Sequence, residues 1–176
     1  MKVNGFNGVG VDGLAAATGV TSGAFYSNFA NKEAMLEAIV EASVGEPFVT
    51  ETALGSKADR RAQLTGFLDR YLSIYHVSHP EEACVMPTLS ADVARAGPQV
   101  RDAYERKITA LAARVAELLD GPHADRERRA WSVVALMVGA VSIARAMPDG
   151  ASQAEVVASA RRTVDDLITP VKGKSR

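Results

Sequence analysis

Hydrophobic positions along the chain recur at helical spacing almost from end to end. Leu64, Phe67, Leu68, Tyr71, Leu72 and Tyr75 follow an i, i+3, i+4 rhythm over three turns. Val100, Tyr104, Ile108, Leu111, Val115, Leu118 and Leu119 repeat it, with Pro98 at a favourable helix start and Gly121-Pro122 as a stop. A long helix is predicted from about Ala124 to Met147, followed by the turn Pro148-Asp149-Gly150. Ser152, with Glu155 three residues on, predicts a capping box for a last helix reaching about Thr169. No run alternates long enough to predict a strand. The fold class is all-α.

The N-terminal stretch has a finer grain. Val11 to Thr18 predicts a short Ala-rich helix, and Gly19-Val20 a turn in which glycine supplies a positive φ. Thr21 is a good N-cap for a second short helix, Ser22 to Phe29. Asn31 caps a third, with Glu33 in its first turn, where the helix dipole favours a negative charge. Two short helices about a tight turn form a helix-turn-helix, which lays its second helix in the DNA major groove. Gly45-Glu46-Pro47 and Gly55-Ser56 mark a break. The expected organisation is a helix-turn-helix head over residues 1–46 and a helical-bundle body for ligand binding and dimerisation over residues 47–176.

Composition narrows the function classes. A net charge of −1 over 176 residues gives no global pull toward nucleic acid or anionic membrane. The single cysteine, Cys84, excludes an internal disulfide and fits a reducing compartment. No secretory leader opens the chain, and the longest charge-free stretch, the 15 residues from Ala130 to Ala144, is short for a membrane span. A cytoplasmic protein without a membrane partner is expected. The last two helices carry Trp131, Val134, Leu136, Met137, Val138 and Val141, then Val156, Val157, Val164, Leu167 and Ile168. That is more apolar surface than one subunit easily buries, and Gly139 and Ala140 permit close helix approach. These helices predict a homodimer with a four-helix interface.

Two residue groups resemble other chemistries and fall short of them. Gly8-Val9-Gly10-Val11-Asp12-Gly13 fits a dinucleotide fingerprint but lacks the preceding strand and the βαβ setting. His76, His79 and Cys84 match no tight metal spacing, and Pro80 breaks any shared helix face; the histidines read as loop residues. No nucleophile motif supports hydrolysis. Neither enzyme activity, nor a cofactor, nor a metal is expected.

Val-Asp-x-Leu-Ala at 11–15, Gly-Val-Thr at 19–21, Gly-Ala-Phe-Tyr-Ser-Asn-Phe at 23–29 and Asn-Lys-Glu-Ala-Met-Leu at 31–36 resemble the TetR/AcrR family of transcriptional regulators. The resemblance implies a ligand-released repressor, a homodimer on a palindromic operator in double-stranded DNA. It implies a recognition helix at Ser22 to Asn28, with Thr21 at its start. Ser22, Ser27 and Asn28 would meet base edges, Asn28 pairing bidentately with adenine. Gly23 and Ala24 would allow close approach, and Tyr26 and the helix start at Lys32 would hold phosphates. Phe25 and Phe29 would be core. In the body, Phe67, Tyr71, Tyr75, Met86, Leu89, Tyr104, Ile108, Trp131 and Met137 stand on inward stripes and would line a pocket for a small apolar or aromatic effector. Cys84, between a loop and an apolar helix, joins these ligand-binding candidates; a free cysteine there reads as a small buried hydrophobe, and the resemblance adds a redox or electrophile sensor as the alternative.

Two features depart from the family. Its long first helix would precede Gly5, where only Met1 to Asn4 stand, so an incomplete head is expected. Residues 1–46 carry two lysines against five acids, whereas a DNA-binding head normally has a basic footprint. The alternative is therefore an all-α dimeric small-molecule or redox sensor that does not bind DNA.

Overall fold

The computed structural model describes residue 6, residue 10, residue 13 and residues 22–46, 48–49 and 55–169. It contains α1 (Ser22–Asn28), α2 (Lys32–Ser43), α3 (Lys57–Tyr71), α4 (Ile74–Ser78), α5 (Met86–Val93), α6 (Pro98–Leu118), α7 (His123–Arg145) and α8 (Ala151–Ile168). Among the described residues there is no strand. The Val11–Thr18 helix and its turn, the Thr21 cap and most of the glycine-rich stretch lie outside the described residues.

The chain divides into two compact units, residues 1–46 with 80–109, and residues 47–79 with 110–176. In the first unit, the Asn31 side chain accepts the Ala34 N–H at 2.9 Å and starts α2 as its sequence predicts. Leu36 and Val40, one turn apart, are fully buried with Met35 beside them. Each such side chain contributes roughly 1.5–3 kcal/mol of burial. The helix stops at Val44, and Gly45 follows with φ 75°, a left-handed turn that favours glycine. α5 places Met86, Leu89 and Val93 in the interior, Pro87 sits in its first turn, and Cys84 stands just before the Val85 N-cap.

In the second unit α7 and α8 pack along one another, and the short α4 packs on both α3 and α7. Ala130, Val133, Val134, Met137, Val141 and Ala144 of α7 are buried, as are Val157, Ala160, Val164 and Ile168 of α8. Arg129 closes this unit. Its guanidinium donates to the Leu167 carbonyl at 2.9 Å, to Asp125 at 2.7 Å and to the Asp120 carbonyl. One cation thereby serves orphan carbonyls near the ends of two helices.

Three sequence expectations change. The periodic run from Leu64 to Tyr75 is not one helix. α3 ends at Tyr71, and Ser73 accepts the His76 N–H at 3.1 Å while donating to the Arg70 carbonyl, starting α4 on a new axis. That break takes Tyr75 off the inward stripe, leaving it 60% exposed. The expected capping box at Ser152 does not form. α8 begins at Ala151 after Gly150, whose φ of 155° turns the chain, and Glu155 binds Arg162 at 2.6 Å instead. His76 and His79 are not loop residues. His76 lies in α4, 4.4 Å from the Tyr71 ring between centroids, and His79 caps the helix, stacked 4.0 Å from Tyr75.

Candidate nucleic-acid interface and effector cleft

The seven-residue α1 is the element that the sequence nominates for the major groove. Its described side chains face outward: Gly23, Tyr26, Ser27 and Asn28 are exposed, Tyr26 by 59%. The Ser27 hydroxyl donates to the Gly23 carbonyl at 3.0 Å, which leaves its oxygen lone pairs outward as acceptors. Phe29, just past the helix, is half-buried and Lys32 starts the next helix after a three-residue corner. Ser22, Ala24 and Phe25 belong to α1 by their backbone. Thr21 lies outside the described residues.

Lys32 is held back from solvent. Its ammonium donates to the Phe6 carbonyl and lies 4.2 Å from the centre of the Phe6 ring. The Phe6 N–H in turn donates to Asp92 at 2.9 Å, and Asp92 is 8% exposed. The contribution of Lys32 to an anion site is thus its place at a helix start, not its ammonium.

The acidic balance of residues 1–46 has a local answer within the same unit. Glu33 accepts the Gly97 N–H at 2.9 Å, Glu41 pairs with Arg106 at 2.5 Å, and Glu46 pairs with Lys107 at 2.9 Å. Three of the five acids that the sequence sets against DNA binding, Glu33, Glu41 and Glu46, are directed at the 97–107 segment and not at α1.

The residues expected to line an effector pocket divide between the two units. In the second, Phe67 stacks on Phe48 with ring centres 3.9 Å apart and lies 5.9 Å from Tyr71, which is buried. Arg114 stands over the Phe48 ring at 5.7 Å. Met137 is fully buried, whereas Tyr75 and Trp131 are on the surface. In the first unit Met86 and Leu89 are interior, while Tyr104 and Ile108 open on a cleft of about 600 Å³ between α5 and α6. That volume falls in the range of small-molecule sites.

The walls of the cleft are Val93, Ala94, Pro98 and Ile108; Arg101, Asp102 and Glu105 stand at its polar side. At its floor the Tyr104 hydroxyl lies 2.7 Å from the Ser90 hydroxyl, which donates to the Met86 carbonyl at 2.7 Å. Burial pushes the Tyr104 phenol above its ordinary pKa, the Ser90 hydrogen bond pulls the other way, and the neighbouring Cys84 adds a smaller rise. Cys84 itself is a half-buried free thiol. The sequence nominated Tyr104 and Ile108 but not Ser90, Val93, Pro98 or the charged residues. Those become neighbours only because α5 and α6 meet at a corner. Among the described residues no group of three His, Cys, Asp or Glu side chains could hold a metal, and no helix is long and apolar enough to cross a membrane.

Comparison with known proteins agrees with this architecture. Residues 1–39 match the family described as "Bacterial regulatory proteins, tetR family". Among solved structures, E. coli NemR in its reduced form superposes with a TM-score of 0.71 at 20% identity, over 96% of this chain and 90% of that one. A TetR transcriptional regulator from Legionella pneumophila gives 0.67 at 14% identity, over 93% and 88% respectively. No curated protein matches the sequence. The sequence pattern of the TetR family thus covers the N-terminal 39 residues, and the all-helical fold of these two structures extends over nearly all of the chain.

Proposed function

We propose that the protein is a cytoplasmic, ligand-released repressor that binds a palindromic operator as a homodimer, with a head at residues 1–46 and a body at residues 47–176. The observation that carries this reading is the outward presentation of Gly23, Tyr26, Ser27 and Asn28 along α1, directly before the Asn31-capped α2. Asn28 reads an adenine edge, and Ser27 and Ser22 read neighbouring bases. Gly23 and Ala24 permit close approach, Tyr26 holds a phosphate, and the amides at Lys32 hold another.

The dimer forms through α7 and α8. Trp131 and Ile143 on α7 are 45% and 55% exposed although their helix buries its opposite face. Gly139 has nothing within 4 Å of where a Cβ would stand. A second copy laid against this stripe would cover two large apolar side chains and use the space at Gly139 for close approach.

The test is fluorescence anisotropy with duplexes from the DNA flanking the gene, at about 50 and 200 mM salt. Specific binding should weaken by orders of magnitude across that range as phosphate contacts are lost. Asn28→Ala should cost about 1–3 kcal/mol on the preferred site and relax its adenine preference. Equal, weak binding to all duplexes would instead favour a sensor that does not engage DNA.

A further inference from the structure

We propose that the α5–α6 cleft is a binding site for a small amphipathic cation, a protonated primary amine carried on an apolar or aromatic body. The hydrogen-bond chain at the floor has a direction. Ser90 spends its one proton on the Met86 carbonyl at 2.7 Å. The Tyr104 hydroxyl, 2.7 Å from Ser90, therefore donates to the Ser90 oxygen. Both hydroxyl protons are committed inside the protein, and what the pair offers the cleft is oxygen lone pairs. A ligand group placed there must be a donor.

The charges at the mouth agree with that polarity. Asp102 and Glu105 both line the cleft, and among the described residues neither has an ion-pair partner; Arg101 is the single cation on the same rim. The other nearby cations are committed elsewhere. Arg95 pairs with Asp92, Arg106 with Glu41 and Lys107 with Glu46. The ammonium of a bound ligand would meet two carboxylates and a row of acceptors. Its apolar body would lie on Val93, Ala94 and Ile108, in a cleft of about 600 Å³ that takes a one- or two-ring molecule. A carboxylate ligand would face the two acids and find no free proton on the floor.

The site's binding chemistry stands on the cleft alone. That filling it releases DNA rests on the repressor reading above, so the two are tested by separate readouts. Isothermal titration of the full chain with 2-phenylethylamine at neutral pH should show saturable binding, and 3-phenylpropionate, of similar size and opposite charge, should not bind. Asp102→Asn with Glu105→Gln should weaken the amine at least tenfold. Ala94→Trp, at an exposed wall position, should abolish binding with the helical circular dichroism unchanged. No amine binding at millimolar concentration, equal binding of the carboxylate, or full binding to the Ala94→Trp variant each overturns the site. In the second readout, the amine should lower operator affinity for the parent chain and not for Ala94→Trp. If the amine binds as described but no duplex is bound specifically, the repressor reading fails and the site remains. If the amine binds and operator affinity does not change, the site is not the effector site.

Discussion

The carboxylate of Glu33, one residue into α2, accepts the backbone N–H of Gly97 at 2.9 Å, just before α6 begins. Sixty-four positions separate these residues in the chain. The contact fixes the start of α2, the helix that follows α1, against the corner that precedes the cleft. A Cβ on Gly97 would stand 3.2 Å from the same carboxylate, so the glycine allows the approach. Glu33→Ala should cost about 1 kcal/mol, a fall of about 2–4 °C in Tm. Glu33→Gln, which keeps an acceptor, should lose less. Gly97→Ala should be mild, because the atom it meets is the end of a flexible side chain. Thermal denaturation of the three variants checks the order.

Arg106 and Lys107 are sequence neighbours with unequal pairs. The Arg106–Glu41 pair is 60% and 43% exposed, the Lys107–Glu46 pair only 16% and 22%. An exposed ion pair contributes about 0–1 kcal/mol because water and salt screen it. A half-buried one loses less to screening, and removing its cation leaves a carboxylate in a poorly solvated place. Lys107→Met should therefore destabilise by more than Arg106→Met in urea titrations. Added salt should narrow the Arg106 effect more than the Lys107 effect. Equal effects would mean that burial does not decide the strength of these pairs.

Arg129 should be the most sensitive charged residue in the second unit. It is 4% exposed and serves the Leu167 and Asp120 carbonyls together with Asp125. Arg129→Leu removes every donor at once, at roughly 1–3 kcal/mol for each buried acceptor left unserved. Arg129→Lys cannot restore the fork, since an ammonium lacks its planar geometry. Both variants should lower the urea midpoint, Leu by more, and hydrogen exchange should rise first at the end of α8.

Stability should fall on the alkaline side through Tyr104. Its folded phenol is raised by burial, so the unfolded chain ionises first. This contribution is fully present below the unfolded phenol value of about 10 and is lost as pH rises through the higher folded value. Tyr104→Phe should flatten the decline in urea midpoint above about pH 10. On the acid side, Arg162 lowers Glu155 and Arg128 lowers Asp125 by hydrogen bonding to their carboxylates. Those contributions are present above the ordinary carboxylate range and disappear as pH falls through the lower folded values. Glu155→Gln should therefore flatten the acid limb and leave the alkaline limb unchanged.

Gly139→Ala separates a monomer from the proposed dimer. In an isolated chain the added methyl meets nothing and should stabilise α7 by up to about 1 kcal/mol through helix propensity. If a second copy approaches there, the same methyl should weaken association. Sedimentation equilibrium read beside thermal stability distinguishes the outcomes, since a variant more stable at all concentrations argues against close approach at this position.

The sequence carried the helices and the TetR-type pattern of residues 1–39. Period and caps located α2, α6 and α7 to within two or three residues, because apolar spacing and the Asn31 cap act over a few positions. It misread the Leu64–Tyr75 run, since the i, i+3, i+4 rhythm continues through Ser73 while the backbone does not. It misread Ser152 for a similar reason: the Gly150 turn fixes the start of α8 before a side-chain cap is needed. The chain's own order of residues thus determined an all-helical protein with a TetR-type pattern in its first 39 residues, and the side chains nominated for DNA. What faces what was decided by tertiary structure. Glu33, Glu41 and Glu46 found partners at 97–107, Lys32 turned to Phe6, and Ser90 met Tyr104 to floor a cleft. Local pattern cannot carry such pairings, because they depend on where helices distant in the chain cross, and that is set by packing rather than by the residues beside them.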